Sequence, residues 1–328
     1  MAVSTGAGGG GAAAAVAASA LGAPPAPRRR RRVSASTVAA YGFVSPWIIG
    51  LVVFTVGPMV ASLVLSFTDY DLVGDASFVG GANYAEVLSD PKVATSLRNT
   101  VFYTALHVPL SLMLAMGLAL LLVRAGRAGG FFRTVVYLPV MTPPVAIGAM
   151  FLLLLNGQTG LVNALLGLVG IDGPGWTTDP AWIKPGLVLM SLWGVGSTAI
   201  IYLAALRQVP VDLYEASRLD GAGAWRQFRS VTLPMISGTV YFTLIVNTIG
   251  SLQMFTEVYT MYFGNRAAQS ASGDAALFYV IYLFQQAFQF LHMGYASALA
   301  WLLFLVILAI TLVQVRIARD RVYYEGDR

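Results

Sequence analysis

Six apolar runs organise the chain, at 41–67, 100–123, 134–156, 185–206, 233–256 and 293–315. None of them contains Asp, Glu, Lys or Arg. A helix of about 20 residues, rising ~1.5 Å per residue, crosses a hydrocarbon layer of ~30 Å. The pattern predicts an all-α polytopic membrane protein with six transmembrane helices. A further apolar stretch, 275–291, is interrupted by Gln285, Gln286 and Gln289. It is expected to lie as an amphipathic helix near the outer surface. Helix breakers cluster in two of the runs: Pro139, Pro143 and Pro144 in the third, Gly194 and Gly196 in the fourth. Proline frees backbone groups that lipid cannot satisfy, so these segments should face protein or a water-filled cavity. Plain packing kinks are the alternative.

The polar positions between the runs set the orientation. With the N-terminus inside, the inner side collects Arg28–Arg32, the arginines of the 124–133 loop, those at 207, 218, 226 and 229, and those after 315. Only Lys92, Arg98, Lys184 and Arg266 fall outside. This asymmetry is the positive-inside rule. It places both termini in the cytoplasm of a multi-pass protein of the cell membrane. It also accounts for the net charge of +5 without nucleic acid. Composition agrees, with 57% hydrophobic and 11% charged residues against about 25% charged in soluble domains.

Three regions follow. Residues 1–37 form a Gly/Ala/Pro-rich tail, read as disordered, ending in the Arg28–Arg32 anchor. Residues 38–317 form the membrane domain, including a cytoplasmic loop at 210–232. Residues 318–328 form a cytoplasmic C-terminal tail. Gly6, Gly8 and Gly11 match a dinucleotide fingerprint by spacing, but no strand–helix unit surrounds them.

Candidate chemistry is sparse. The chain has no cysteine, no phosphate-binding loop, no H-E-x-x-H and no G-x-S-x-G. No catalytic residue and no metal site are expected. His107 lies within the second run and His292 just before the sixth. His107 reads either as a packed neutral histidine or as a functional one. The spans carry no carboxylate that could relay protons, so energy for transport should arrive from another subunit. Asn247, Thr248, Ser251 and Gln253 sit late in the fifth run, near Tyr259. Asn247 and Ser251, four apart, share a helix face. Asn247, Ser251, Gln253 and Tyr259 are the candidate substrate pathway, and interhelical hydrogen bonding is the alternative.

The loop between the fourth and fifth runs carries the sharpest local signal. Asp212 can cap a short helix and Glu215 can complete a capping box. Gly221 and Gly223 then break that helix, and a second turn around 224–230 carries Trp225 and Phe228. The expected product is a helix-turn-helix knob for a cytoplasmic partner. Glu215-Ala216-Ser217, Gly221 and Val231-Thr232-Leu233-Pro234 resemble the E-A-A-x-x-x-G…I-x-L-P motif of binding-protein-dependent ABC importer permeases. The departures are Ser217 for Ala and Val231 for Ile. The likeness extends over about 43–315. "LSFTDYDL", "FVGGANY", "LRNTVFYT", "FFRTVVYLPVMTPP" and "GYASALA" are similar to the carbohydrate branch, in particular its maltose-type first permease. Where that family often has a Gly-Gly-Pro turn outside the fifth span, this chain reads "MYFGNRAAQSASGD".

The resemblance implies the type I importer fold. It implies a heterodimer with a second permease, two ATPase subunits below, and an extracytoplasmic solute-binding protein that delivers a sugar. It assigns ATPase coupling to Glu215, Ala216, Ser217, Asp220, Gly221, Leu233 and Pro234. ATP and Mg would belong to the partner ATPase, with no cofactor in this chain. Glycerol phosphate or another small polar solute is the alternative cargo within the family, and a secondary transporter the alternative outside it. A phosphate cargo should want cations in the spans, which have none.

Overall fold

The computed structural model describes residues 35–264, 269 and 272–319. The expected N-terminal tail, the Arg28–Arg32 anchor, most of the C-terminal tail and part of the 261–274 loop lie outside the described residues. The chain divides into two compact units, one ending at Pro58 and one beginning at Met59.

The first unit consists of helix α1, Ala35–Leu51, followed by the π-helical turn Val52–Val56. The wider turn has a local cause. Pro58 has no N–H and its ring crowds the carbonyl four residues back, at Phe54, so the helix loosens just before it. Gly57 N–H then bonds Val52 O. The same device recurs at Phe228–Thr232, a π turn that precedes Pro234. The apolar helix continues as α2, Gly57–Leu65, and Ala39–Leu65 is long and apolar enough to cross a membrane.

In the second unit, a two-stranded antiparallel ladder joins β1, Thr68–Asp69, to β2, Ser77–Phe78. Helix α3, Ala82–Ser89, holds that turn through Asn83, whose Nδ2 donates to Ser66 O (3.0 Å) and Thr68 O (2.8 Å). Helix α4, Pro91–Arg124, is the central element, with 34 residues. Asp90 caps it by accepting from Lys92 N at 2.8 Å, and Pro91 stands at its first position, where no N–H is needed. One face of α4 is buried throughout, through Val93, Ser96, Thr100, Tyr103, Ser111, Ala115, Ala119 and Leu122. The small residues on that face let backbones approach closely, the usual basis of helix packing in lipid.

Three further segments are broken helices rather than straight ones. Helix α5, Gly129–Tyr137, runs through a 3₁₀ turn at Leu138–Met141 and meets α6, Pro144–Leu154, at 95°. After the short α7, Leu161–Leu168, helix α8, Pro180–Ser191, passes through Leu192–Gly194 into α9, Gly196–Leu206, bent by 50°. Next come α10, Val211–Leu219, and α11, Ala224–Gln227. The segment ending at Met235 meets the one beginning with α12, Ser237–Leu252, at 72°. Among the described residues, three helices can cross a membrane, or up to six segments if each bent pair counts as one span.

The stretch expected as a surface amphipathic helix is instead interior. Helix α13, Tyr279–Phe284, continues as a π turn, Gln285–Gln289, and Tyr279, Ile281, Tyr282, Gln285 and Gln286 are buried. Of the three glutamines that suggested a water-facing stripe, Gln285 and Gln286 are enclosed by protein, whereas Gln289 is exposed. Helix α14, Met293–Arg319, closes the fold. Asp90 ties its start to α13: the Tyr282 and Tyr295 hydroxyls both donate to the Asp90 carboxylate. Burial works to raise the Asp90 pKa. The two hydroxyls and the Lys92 backbone N–H outweigh it and hold the carboxyl below its ordinary value of 3.8. Asn99 makes a second tie, with Nδ2 donating to Asp274 O (2.8 Å) and Leu277 O (3.0 Å).

Candidate functional site

A cavity of about 500 Å³ opens where the broken segments meet α4. Tyr103 and His107 of α4 form one wall. They are four residues apart on one helix face and stack with ring centroids 5.2 Å apart and planes at 7°. The Tyr103 hydroxyl donates to Ser191 Oγ at 2.6 Å, which fixes the ring against the end of α8. His107 Nδ1 lies 2.9 Å from Ser251 Oγ. The histidine is thus hydrogen-bonded, as the packed reading expects, and it also lines the cavity.

An adjoining wall comes from α12 and the break that follows it, with Asn247, Ser251 and Gln253 all lining the cavity. Asn247 Nδ2 donates to Thr243 O at 2.8 Å, leaving its carbonyl oxygen available. Gln253 is the C-cap of α12 and points out of the helix register, because the helix ends there. Tyr259 is not among the lining residues. It stacks on Phe255 (5.3 Å) and meets Phe284 edge-on (5.3 Å), so it backs a residue that does line the cavity.

The breaks supply the rest. Pro144 and Gly194 sit at the lining, where kinked backbone faces open space rather than lipid. Gly196 lies elsewhere: a Cβ there would overlap the Val136 carbonyl, so this glycine permits close packing of α9 on α5. Glu257 is the one carboxylate of the lining, which has no Lys or Arg. Sequence reasoning missed Tyr103 and Ser191. The available signal was the four-residue spacing of Tyr103 from His107.

The 210–232 loop folds as a knob. Helix α10 begins at Val211 with Pro210 as its N-cap and no side-chain cap. Asp212 is therefore in the first turn and not the cap, because the helix already starts at Val211 behind the extended backbone of Pro210. At the other end Gly221 has φ +74. Its N–H bonds Arg218 O (3.0 Å) and the Ala222 N–H bonds Ser217 O (2.9 Å), the double closure of a Schellman cap. Ala216 accepts from Asp220 N at 3.1 Å in the same last turn. The Tyr214 hydroxyl, 2.9 Å from Thr232 Oγ1, ties α10 to the turn that leads into Leu233 and Pro234. Trp225 and Phe228 stack at 5.7 Å. Leu219 is 91% and Trp225 73% exposed, so the knob presents apolar side chains outward. Glu215 lies on the same helix, in its middle turn.

Proline-broken segments around a cavity whose described lining has one carboxylate and no basic side chain, with a rigidly capped knob on one connecting loop, define the chain as a membrane permease. The chain belongs to the family described as "Binding-protein-dependent transport system inner membrane component", whose family model matches residues 107–322. It is 37% identical over 297 residues to the probable ABC transporter permease protein YesP of Bacillus subtilis, covering 90% of this chain and 94% of that protein. It is 33% identical over 285 residues to the lactose transport system permease protein LacF of Rhizobium radiobacter, covering 85% and 93% respectively. The fold is shared with a bacterial alginate ABC transporter solved in complex with an alginate pentasaccharide-bound periplasmic protein. That match has a TM-score of 0.74 at 23% identity and covers 87% of this chain and 95% of the other.

Proposed function

We propose that this chain is one permease of an ATP-driven importer that carries a neutral mono- to oligosaccharide. Six spans place both termini in the cytoplasm, and a second, different permease completes the pathway. Two ATPase subunits dock at the knob, holding the ATP and Mg that this chain does not bind. An extracytoplasmic solute-binding protein delivers the cargo. The carrying observation is the cavity, whose described lining combines Asn247, Ser251 and Gln253 with the aromatic residues Tyr103 and Phe255, one carboxylate at Glu257, and no basic side chain. Amide and hydroxyl groups match sugar hydroxyls, and aromatic faces match the apolar C–H faces of a pyranose. A phosphate-bearing cargo would lack a cation in this wall. The lactose and arabinooligosaccharide permeases among the relatives support a carbohydrate cargo.

Coupling is assigned to Glu215, Ala216, Ser217, Asp220, Gly221, Leu233 and Pro234, which span the knob and the start of the next segment. The exposed apolar tips fit a groove on a partner, and the Schellman cap makes the knob stiff enough to transmit a push.

The test is uptake of labelled saccharides by the complete importer in proteoliposomes. Uptake should require ATP inside and survive collapse of proton and sodium gradients. Gln253→Leu and Asn247→Leu should each weaken uptake while ATPase subunits still co-purify. Gradient-dependent uptake, or unchanged kinetics in both variants, would contradict the assignment.

A further inference from the structure

Glu257 stands at the cavity with no positive group of this chain beside it. It belongs to the short helical turn Thr256–Val258, and the four residues before it, from Gln253 to Thr256, line the same space. Helix α6 seats that turn. A Cβ built on the buried Gly148 would come within 3.2 Å of the Glu257 carbonyl oxygen and 3.0 Å of Thr260 Cβ, so this glycine lets the two backbones close up. The Glu257 side chain is half-buried. Among the described residues its carboxylate has no hydrogen-bond partner and no ion pair, and neither Lys nor Arg lines the cavity. Its charge acts on the Tyr103 hydroxyl, a group of the same lining. His107, the one imidazole of the lining, is engaged instead with Ser251 Oγ, at 2.9 Å from Nδ1.

Carboxylates that leave bulk water are as a rule paired. An unpaired one leaves its field in the space it borders, and walls of low dielectric focus that field. A solute that brings a second negative charge meets repulsion that no neighbouring cation relieves. A polyol meets the reverse, because hydroxyls that donate to a carboxylate make charge-assisted bonds, roughly twice as strong as neutral ones. Resting on the permease reading above, we infer that Glu257 sets the charge selectivity of the cavity, accepting hydroxyl groups of the cargo and turning away solutes that carry a carboxylate or phosphate. A carboxylate that merely decorated the outer surface would be screened by salt within about 10 Å and would leave the cavity without bias.

The test measures that bias without reference to any cargo. The chain has no cysteine of its own. Gly250 lines the cavity and a Cβ there meets nothing within 4 Å, so Gly250→Cys gives one thiol in open space; Gly194→Cys meets the same two conditions and serves as a second position. In the assembled importer, each thiol is treated with trimethylammonioethyl or sulfonatoethyl methanethiosulfonate, and both rates are divided by those of a free thiol. The cation should then react faster than the anion by tenfold or more, the scale of two unit charges ~10 Å apart at an effective dielectric of ~20. Glu257→Gln should bring the ratio close to one, and Glu257→Asp should keep most of it. Glu257→Ala carries the comparison if the Gln variant fails to reach the membrane. A ratio near one with Glu257 in place, a ratio unmoved by its neutral replacements, or no reaction of either thiol with either reagent would overturn the inference. Failure of the same proteoliposomes to take up any saccharide would count against the carbohydrate reading alone, since the thiol rates do not depend on what is carried.

Discussion

Gly221 offers the cleanest separation between the shape of the knob and the surface it presents. Its φ of +74 lies in the left-handed region, and no atom stands within 4 Å of where a Cβ would be built. A substitution there is opposed by backbone conformation alone and not by crowding inside the chain. An L-residue forced into that region costs roughly 1–2 kcal/mol, and each ~1.4 kcal/mol is a factor of ten in the population of the capped form. Gly221→Ala and Gly221→Leu should thus destabilise the isolated knob equally, by about 1–2 kcal/mol. Asn tolerates the left-handed region better and should cost less. Gly221→Pro should cost most, because it also deletes the N–H that bonds Arg218 O and locks φ at the wrong sign.

The assay follows membrane level, co-purification of the ATPase and saccharide uptake side by side. The expected order of uptake is wild type, Asn, Ala, Leu, Pro, at similar membrane levels. A loss in Leu beyond that in Ala, with the same thermal stability of the isolated permease, would point to a body outside this chain, since a Cβ at this site meets no described atom within 4 Å. Equal effects of Ala and Leu on ATPase binding would place the glycine away from the contact. Normal uptake and an intact complex in Gly221→Pro would refute the assignment of coupling to this loop.

Gly196→Ala should destabilise the permease by about 1–3 kcal/mol through overpacking, because its Cβ would overlap the Val136 carbonyl, whereas Gly194→Ala, with open space, should leave thermal stability unchanged. The Asp90 carboxyl is held below 3.8, so its contribution to stability is present above that value and lost as pH falls through the lower folded value. Melting temperatures of the detergent-purified protein should accordingly drop on acidification below 3.8 and drop less steeply in Asp90→Asn, which should also be less stable at neutral pH; identical acid profiles would count against the tie between α4, α13 and α14. A cysteine introduced at Ala224 should resist an impermeant thiol reagent in intact cells, and ready labelling would invert the proposed topology.

The sequence was legible where local chemistry decides the outcome. Apolar length marked the segments long and apolar enough to cross a membrane, three straight and three bent, Gly221 marked the turn that its positive φ now explains, and Asn247, Ser251 and Gln253 marked part of the cavity lining. It was silent where tertiary contacts decide. Gln285 and Gln286 read as a wet stripe because a sequence does not show which polar groups other helices will enclose. Tyr103 read as one more aromatic in an apolar run, since its partner Ser191 lies 88 positions away. Tyr259 looked like a pathway residue from its neighbours, yet it packs behind Phe255.

The third, fourth and fifth apolar runs show why length is an incomplete guide. Each has enough apolar residues for one straight helix, and each is bent, by 95°, 50° and 72°. Straight helices packed at normal spacing around α4 would fill the centre with side chains. The breaks serve different places instead: Pro144 and Gly194 line the cavity, whereas Ile236, at the third bend, packs in a core with Ala115, Ala119 and Leu122 of α4. The breakers therefore exact a local loss of helical bonds, tolerable only because the freed groups face one another or water. In a chain with no charge in its spans, proline and glycine positions carry the information about a pathway that charged residues carry elsewhere. Filling the break at Pro144 with alanine should accordingly straighten the third segment and narrow the cavity without harming insertion. Reduced uptake with normal membrane level would bear that out, and full uptake would show that the bend comes from packing against α9 rather than from the proline.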